Sequence, residues 1–90
     1  MNILQTPTFA RQVKKIKTNQ KKDLDIAIEK IVQDPHIGSM KRGDLCGVRV
    51  HKFKMVKQLT LLAYEFHPED DALILFAMGS HENFYRGLKK

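Results

Sequence analysis

The spacing of apolar residues changes its period once in this chain, at Asp34-Pro35, and that change dictates the architecture. Before it, Leu24, Ala27, Ile28, Ile31 and Val32 recur with the ~3.6-residue repeat of a helix. Their stripe predicts a helix from about Lys21 to Gln33. Proline pushes the residue before it out of the helical region, so the helix stops at Asp34. A shorter helix of about ten residues starts at Thr6-Pro7-Thr8, with Thr6 or Thr8 as its N-cap. Phe9, Val13 and Ile16 fall at i, i+4 and i+7 on one face, and Arg11, Lys14, Lys15 and Lys17 fill the rest. Thr18-Asn19-Gln20 marks the break between the two helices.

After Asp34-Pro35 the pattern is that of strands. Pro35 to Gly47 reads as a loop, with glycines at 38, 43 and 47. Val48 and Val50 then alternate with Arg49 and His51, so one parity is apolar and the other polar. Leu59 to Phe66 and Leu73 to Met78 are nearly continuous apolar runs, as in strands central to a sheet or covered on both sides. His67-Pro68-Glu69-Asp70-Asp71 is the turn between them. Asn2 to Gln5 reads as a first strand. The polar tail His81 to Lys90 is expected to form a short helix capped by Ser80. The order is therefore β-α-α-β-β-β: an α+β fold with an antiparallel sheet, the helix hairpin packed on one face, and a short C-terminal helix.

Ninety residues hold one core, so residues 1–90 are read as a single domain with no room for a separate cofactor-binding unit. The net charge of +6 favours a polyanionic partner, although a solvated basic surface has the same composition. A single cysteine, Cys46, excludes an internal disulfide. No leader-like or membrane-spanning apolar run is visible, so the expected location is cytoplasmic, away from the membrane. The four histidines lack zinc-site spacing, and the scattered glycines form no phosphate loop. No metal and no organic cofactor are expected.

The chemistry-bearing residues cluster after the period change. With Val48 and Val50 facing the helices, Arg49 and His51 are expected on the open side of the sheet. His51 has the pKa range of a general acid or base, and Arg49 suits a phosphate. A solvent-facing histidine on an edge strand fits the same pattern. His81 and Tyr85, at i and i+4, share a face of the tail helix and suit proton transfer or base stacking; a tail helix sealing the core has the same spacing. Lys41, Arg42, Arg49, Lys52, Lys54 and Lys57, interleaved with Phe53, make a basic set suited to a phosphate backbone. His67 reads as a turn residue, and His36 as a loop residue with no identifiable partner.

The segment Asp34-Pro35-His36-Ile37-Gly38-Ser39-Met40-Lys41-Arg42-Gly43-Asp44-Leu45-Cys46-Gly47-Val48-Arg49-Val50 resembles the signature of the RelE/ParE superfamily toxins. The similarity covers nearly the whole chain, including the element order. It implies the toxin of a bacterial type II toxin–antitoxin pair. Many members cut mRNA in the ribosomal A site, whereas the ParE branch poisons DNA gyrase. In the cleaving members, basic or histidine residues stand on the first strand after the helices; Arg49 and His51 match them. A histidine with an aromatic four residues on, His81 and Tyr85, resembles the YafQ-like branch more than the arginine-rich RelE branch. One position departs: where RelE-like members carry a middle-strand arginine, this chain has Leu61, and the nearest cations are Lys54 and Lys57.

The function expected from this resemblance is a metal-independent, ribosome-dependent endoribonuclease. His51 and His81 would serve as base and acid in an unassigned order, Arg49 and Lys54 would stabilise charge, and Tyr85 would stack on or orient the RNA. Lys41, Arg42, Lys52 and Lys57 would bind it. The implied partners are a cognate antitoxin, in a heteromeric complex, and mRNA in the ribosomal A site. A gyrase-binding toxin without nuclease activity and a basic DNA-binding repressor are the competing readings.

Overall fold

The computed structural model describes residues 1–41 and 47–80. Strand β1 spans Asn2–Gln5, helix α1 Pro7–Lys15 and helix α2 Thr18–Gln33. Strands β2 (Ser39–Met40), β3 (Arg49–Met55), β4 (Gln58–His67) and β5 (Ala72–Ser80) follow, with a single 3₁₀ turn at Pro68–Asp70 between the last two. They form one sheet in the order β1-β5-β4-β3-β2. The three later pairings are antiparallel, as short connections require. The sheet is nevertheless mixed, because β1 runs parallel to β5. The two-residue β2 lies inside the segment read from sequence as loop. The helix expected over the tail lies outside the described residues.

The local chemistry accounts for the elements. Thr6, not Thr8, caps α1: its Oγ1 accepts the Phe9 N–H at 3.1 Å and donates to the Phe76 carbonyl at 2.5 Å, and Pro7 occupies the first turn. Helix α2 begins three residues earlier than the apolar stripe indicates. The Gln20 side chain accepts the Lys17 N–H at 2.8 Å, which satisfies a donor at the start and lets Thr18-Asn19-Gln20 join the helix.

The stripe of α2 is buried as its period requires, with Leu24, Ala27 and Ile31 almost inaccessible. Leu24 and Ile31 join Phe9 from α1 and Leu62, Tyr64, Leu73 and Leu75 from the sheet in the main core. A second apolar cluster, Val50, Leu61 and Ala63 with Val48 and Phe76, is separate from it. Leu61, Leu62, Ala63 and Tyr64 are all fully buried in succession, so the middle of β4 is covered on both faces. The bulge between Ala63 and Tyr64 shifts the β4–β5 register within this stretch.

Candidate functional site on the outer edge of the third strand

Pairing decides which residues of β3 share a face. Arg49 lies opposite Tyr64, His51 opposite Leu62 and Phe53 opposite Thr60. Tyr64, Leu62 and Phe53 all belong to the helix-side core, so Arg49 and His51 point to the helix side as well. Val50, opposite Ala63, points away with Lys52 and Lys54. The parity expected from the sequence is thus inverted. It assumed that only the helix side of the sheet would be apolar. The second cluster makes the other side apolar too, and Val50 belongs there.

The outer edge of β3 pairs with β2 only at Arg49 and Val50. Beyond them, a groove of about 220 Å³ runs between β3 and α2. It is lined by His51, Lys52, Phe53 and Lys54 from the strand and by Asp23, Ala27 and Lys30 from the helix. Three residues expected at the site, His51, Lys52 and Lys54, are therefore brought to one groove despite pointing alternately. The His51 ring stacks on Phe53 with centroids 6.1 Å apart and planes 9° apart. Burial lowers the His51 pKa below its ordinary value, and the Lys30 ammonium lowers it further. The imidazole is consequently neutral at pH 7, the form that accepts a proton.

Arg49 is otherwise engaged. Its Nη1 donates to the Gly38 carbonyl at 3.0 Å and approaches the His36 carbonyl at 3.5 Å, tying β3 to the loop after α2. Lys57 sits at the tip of the β3–β4 hairpin and is exposed. Lys41 follows β2, and its backbone N–H donates to the Val48 carbonyl at 2.9 Å. His81, Tyr85 and Arg42 lie outside the described residues, as does Gly43-Asp44-Leu45-Cys46. Asp23 and Lys30 were not singled out from the sequence. The signal was present: 23, 27 and 30 fall at i, i+4 and i+7, so they flank one face of α2.

Two other histidines find partners. His36 meets Phe66 edge-on at 5.7 Å. His67 stands between Glu65, 2.8 Å from Nε2, and Glu69, 3.3 Å from Nδ1; hydrogen bonds to those two carboxylates, Glu65 first, raise its pKa. Among the described residues no group of three or more His, Cys, Asp or Glu side chains is gathered for a metal ion. No described helix is long and apolar enough to cross a membrane.

The sequence model of the ParE-like toxins of type II bacterial toxin–antitoxin systems matches residues 3–89. The chain belongs to this family. The fold agrees. The intact RelBE toxin–antitoxin complex of E. coli contains a chain with TM-score 0.71 and 14% identity, the alignment covering 88% of this chain and 94% of that one. The RelBE2 toxin–antitoxin complex of Mycobacterium tuberculosis gives a TM-score of 0.74 at 16% identity, covering 89% and 96%. The YoeB/ParE toxin from Agrobacterium tumefaciens gives 0.72 at 12%, covering 90% and 99%. At these identities the likeness is one of fold. No curated protein matches the chain by sequence. The ParE-like toxin described here is thus a RelE/ParE superfamily member; its Leu61 is fully buried in the second apolar cluster.

Proposed function

We propose that this ParE-like toxin is a metal-independent mRNA endoribonuclease acting in the ribosomal A site. The observation that carries the reading is His51, held neutral beside Lys30 in a groove also lined by Lys52 and Lys54. Cleavage begins when an RNA 2′-hydroxyl attacks the adjacent phosphorus. His51 takes the 2′ proton as general base. Lys52 and Lys54 hold the non-bridging oxygens and offset the charge that builds on the phosphorane. Arg49 adds positive charge two residues away while its Nη1 remains on Gly38. The 5′ oxygen leaves with a proton from His81, giving a 2′,3′-cyclic phosphate and a 5′-hydroxyl end; Tyr85 stacks on a base. Lys41, Arg42 and Lys57 extend the phosphate contacts. A cognate antitoxin, in a cytoplasmic heteromeric complex, silences the site. The solved RelBE and RelBE2 assemblies, which are toxin–antitoxin complexes, support such a partner.

The test is induced expression of wild type beside His51→Ala, His81→Ala and the double variant, with growth and primer extension on a reporter mRNA. New mRNA ends in the wild type, lost in the variants, are expected. Growth arrest that survives both substitutions with intact mRNA would sink the nuclease. The second reading is then a gyrase-directed toxin, favoured by the ParE-like family match and by the absence of an arginine at Leu61. Inhibition of supercoiling by purified toxin would identify it.

A further inference from the structure

The turn between β3 and β4 is made of residues that do not suit its shape. Met55 pairs with Gln58, leaving two residues at the tip. Both have positive φ, 49° at Val56 and 72° at Lys57. Two such residues in a two-residue hairpin define a type I′ turn, whose favoured sequence is Asn-Gly. A β-branched residue at positive φ is a genuine outlier. The tip is nonetheless fixed, because the Val56 N–H donates to Asp23 Oδ2 of α2 at 2.8 Å. Packing accounts for only part of the choice of residues: Val56 is 42% exposed and Lys57 is exposed. Strain kept in an exposed surface turn points to a contact made by its side chains.

We propose that Val56 and Lys57 form a rigid prong that grips an RNA backbone, with the Lys57 ammonium on a phosphate and Val56 against the adjoining sugar or base. Lys52 and Lys54 continue the positive line from the tip into the groove. Asp23 reaches the tip, and its carboxylate is occupied by the Val56 N–H. The strand of cations suits phosphates better than it suits a protein surface. This inference rests on the RNA-directed reading above, which already gives Lys57 a phosphate, and adds Val56 and the rigid turn that aims both side chains.

The test compares wild type with Val56→Asn and with Val56→Asn/Lys57→Gly. Melting temperature is measured first. Affinity is then measured for 70S ribosomes by co-sedimentation and for a short 2′-O-methyl single-stranded RNA by anisotropy, each at two salt concentrations. The double variant is expected to melt about 4 °C or more higher, because it relieves the turn. It is also expected to bind RNA about tenfold or more weakly. Its salt slope on the oligonucleotide should fall by about 0.7, the loss of one phosphate contact on a single strand. Val56→Asn alone should keep the slope and lose part of the affinity. Weakening on ribosomes alone places the contact on ribosomal RNA, and weakening on both probes places it on the message. Unchanged affinity for both, or a melting temperature that falls, overturns the proposal. So does unchanged RNA affinity with lost capture of the cognate antitoxin, which would give the tip to a protein partner. A wild type that binds but does not cleave sinks the nuclease reading and leaves the prong tested; a wild type that cleaves, with an unaffected double variant, sinks the prong alone.

Discussion

The phenolic oxygen of Tyr64 lies 2.9 Å from the Gly38 backbone nitrogen, and a Cβ placed on residue 38 would stand 2.8 Å from that same oxygen. The Tyr64 hydroxyl accepts the Gly38 N–H and donates to the Pro35 carbonyl at 2.8 Å. One buried side chain therefore pins the chain as it leaves α2, and Arg49 ties the same loop from β3. The approach leaves no room for a side chain at 38. Tyr64→Phe strands the Gly38 N–H and the Pro35 carbonyl and is expected to cost about 1–3 kcal/mol. Gly38→Ala is expected to cost a similar amount through overpacking. In a urea-unfolding double-mutant cycle the two should be less than additive, because Phe removes the oxygen that the new methyl strikes. Strict additivity would mean that the contacts Phe keeps, the ring Cε1 at 2.9 Å and the Val50 carbonyl at 3.0 Å, set the cost of Ala.

Arg49 is expected to matter for folding as well as for any RNA contact. Arg49→Ala removes a charge-assisted hydrogen bond to Gly38 that is only part-buried, and it should lower stability by about 1–2 kcal/mol. Lysine, lacking the planar fork, should recover little of it. Denaturation midpoints of both variants decide the point; wild-type stability in Arg49→Ala would remove the clamp from the description.

The titration of His51 has a defined sign. Its folded pKa is lowered, by burial first and Lys30 second. The unfolded chain therefore holds the proton at pH values where the folded chain does not. The stability this contributes is complete above about 6.5 and is lost as pH falls through the folded pKa. Cleavage that uses His51 as base should fall over the same acid range. Lys30→Met should move both the activity limb and the His51 NMR titration upward. An unmoved titration would show that Lys30 is not felt at the ring. His51→Ala should reduce cleavage by roughly 10²–10⁴-fold.

His67 has the opposite sign. Hydrogen bonds to Glu65 and Glu69 raise its pKa, so its contribution is present below about 6.5 and is lost as pH rises through the folded value. The pair is exposed, so the effect on stability is small and screened by salt. His67→Gln should flatten the part of the stability–pH curve just above about 6.5 and leave the acid limb of His51 in place.

Leu61 stands where the resemblance to RelE-like toxins implies an arginine, and Leu61→Arg tests that position. The side chain is fully buried against Val50 and Ala63. Leu61→Arg places an unpaired charge among them and is expected to cost at least about 3 kcal/mol. Loss of soluble, cooperatively folding protein is the expected result, measured by thermal unfolding. A stable variant with raised cleavage would show that this toxin departs from the arginine-bearing members only by sequence drift.

Much of this protein follows from local chemistry. The spacing of Leu24, Ala27 and Ile31 requires a helix with one buried face, Asp34-Pro35 requires its end, and Thr6-Pro7 requires the start of α1. The long apolar runs require strands shielded on both sides, and the succession Leu61 to Tyr64 is shielded so. These features depend on neighbours in sequence, where the period of the backbone turns spacing into direction. What the strands face does not. Val48 and Val50 point away from the helices because the far side of the sheet holds an apolar cluster of its own, built with Leu61 of β4 and Phe76 of β5. His51 and Lys30 line one groove because α2 packs along β3. The role of Arg49 at Gly38, and the strain that Asp23 holds at Val56, also arise only from packing. Sequence by itself determined the two helices, the long strands and the chemistry available to them; the tertiary structure alone decided that β2 adds an edge, that β1 runs parallel, and which groups meet, since a one-residue change of parity exchanges the two faces of a strand.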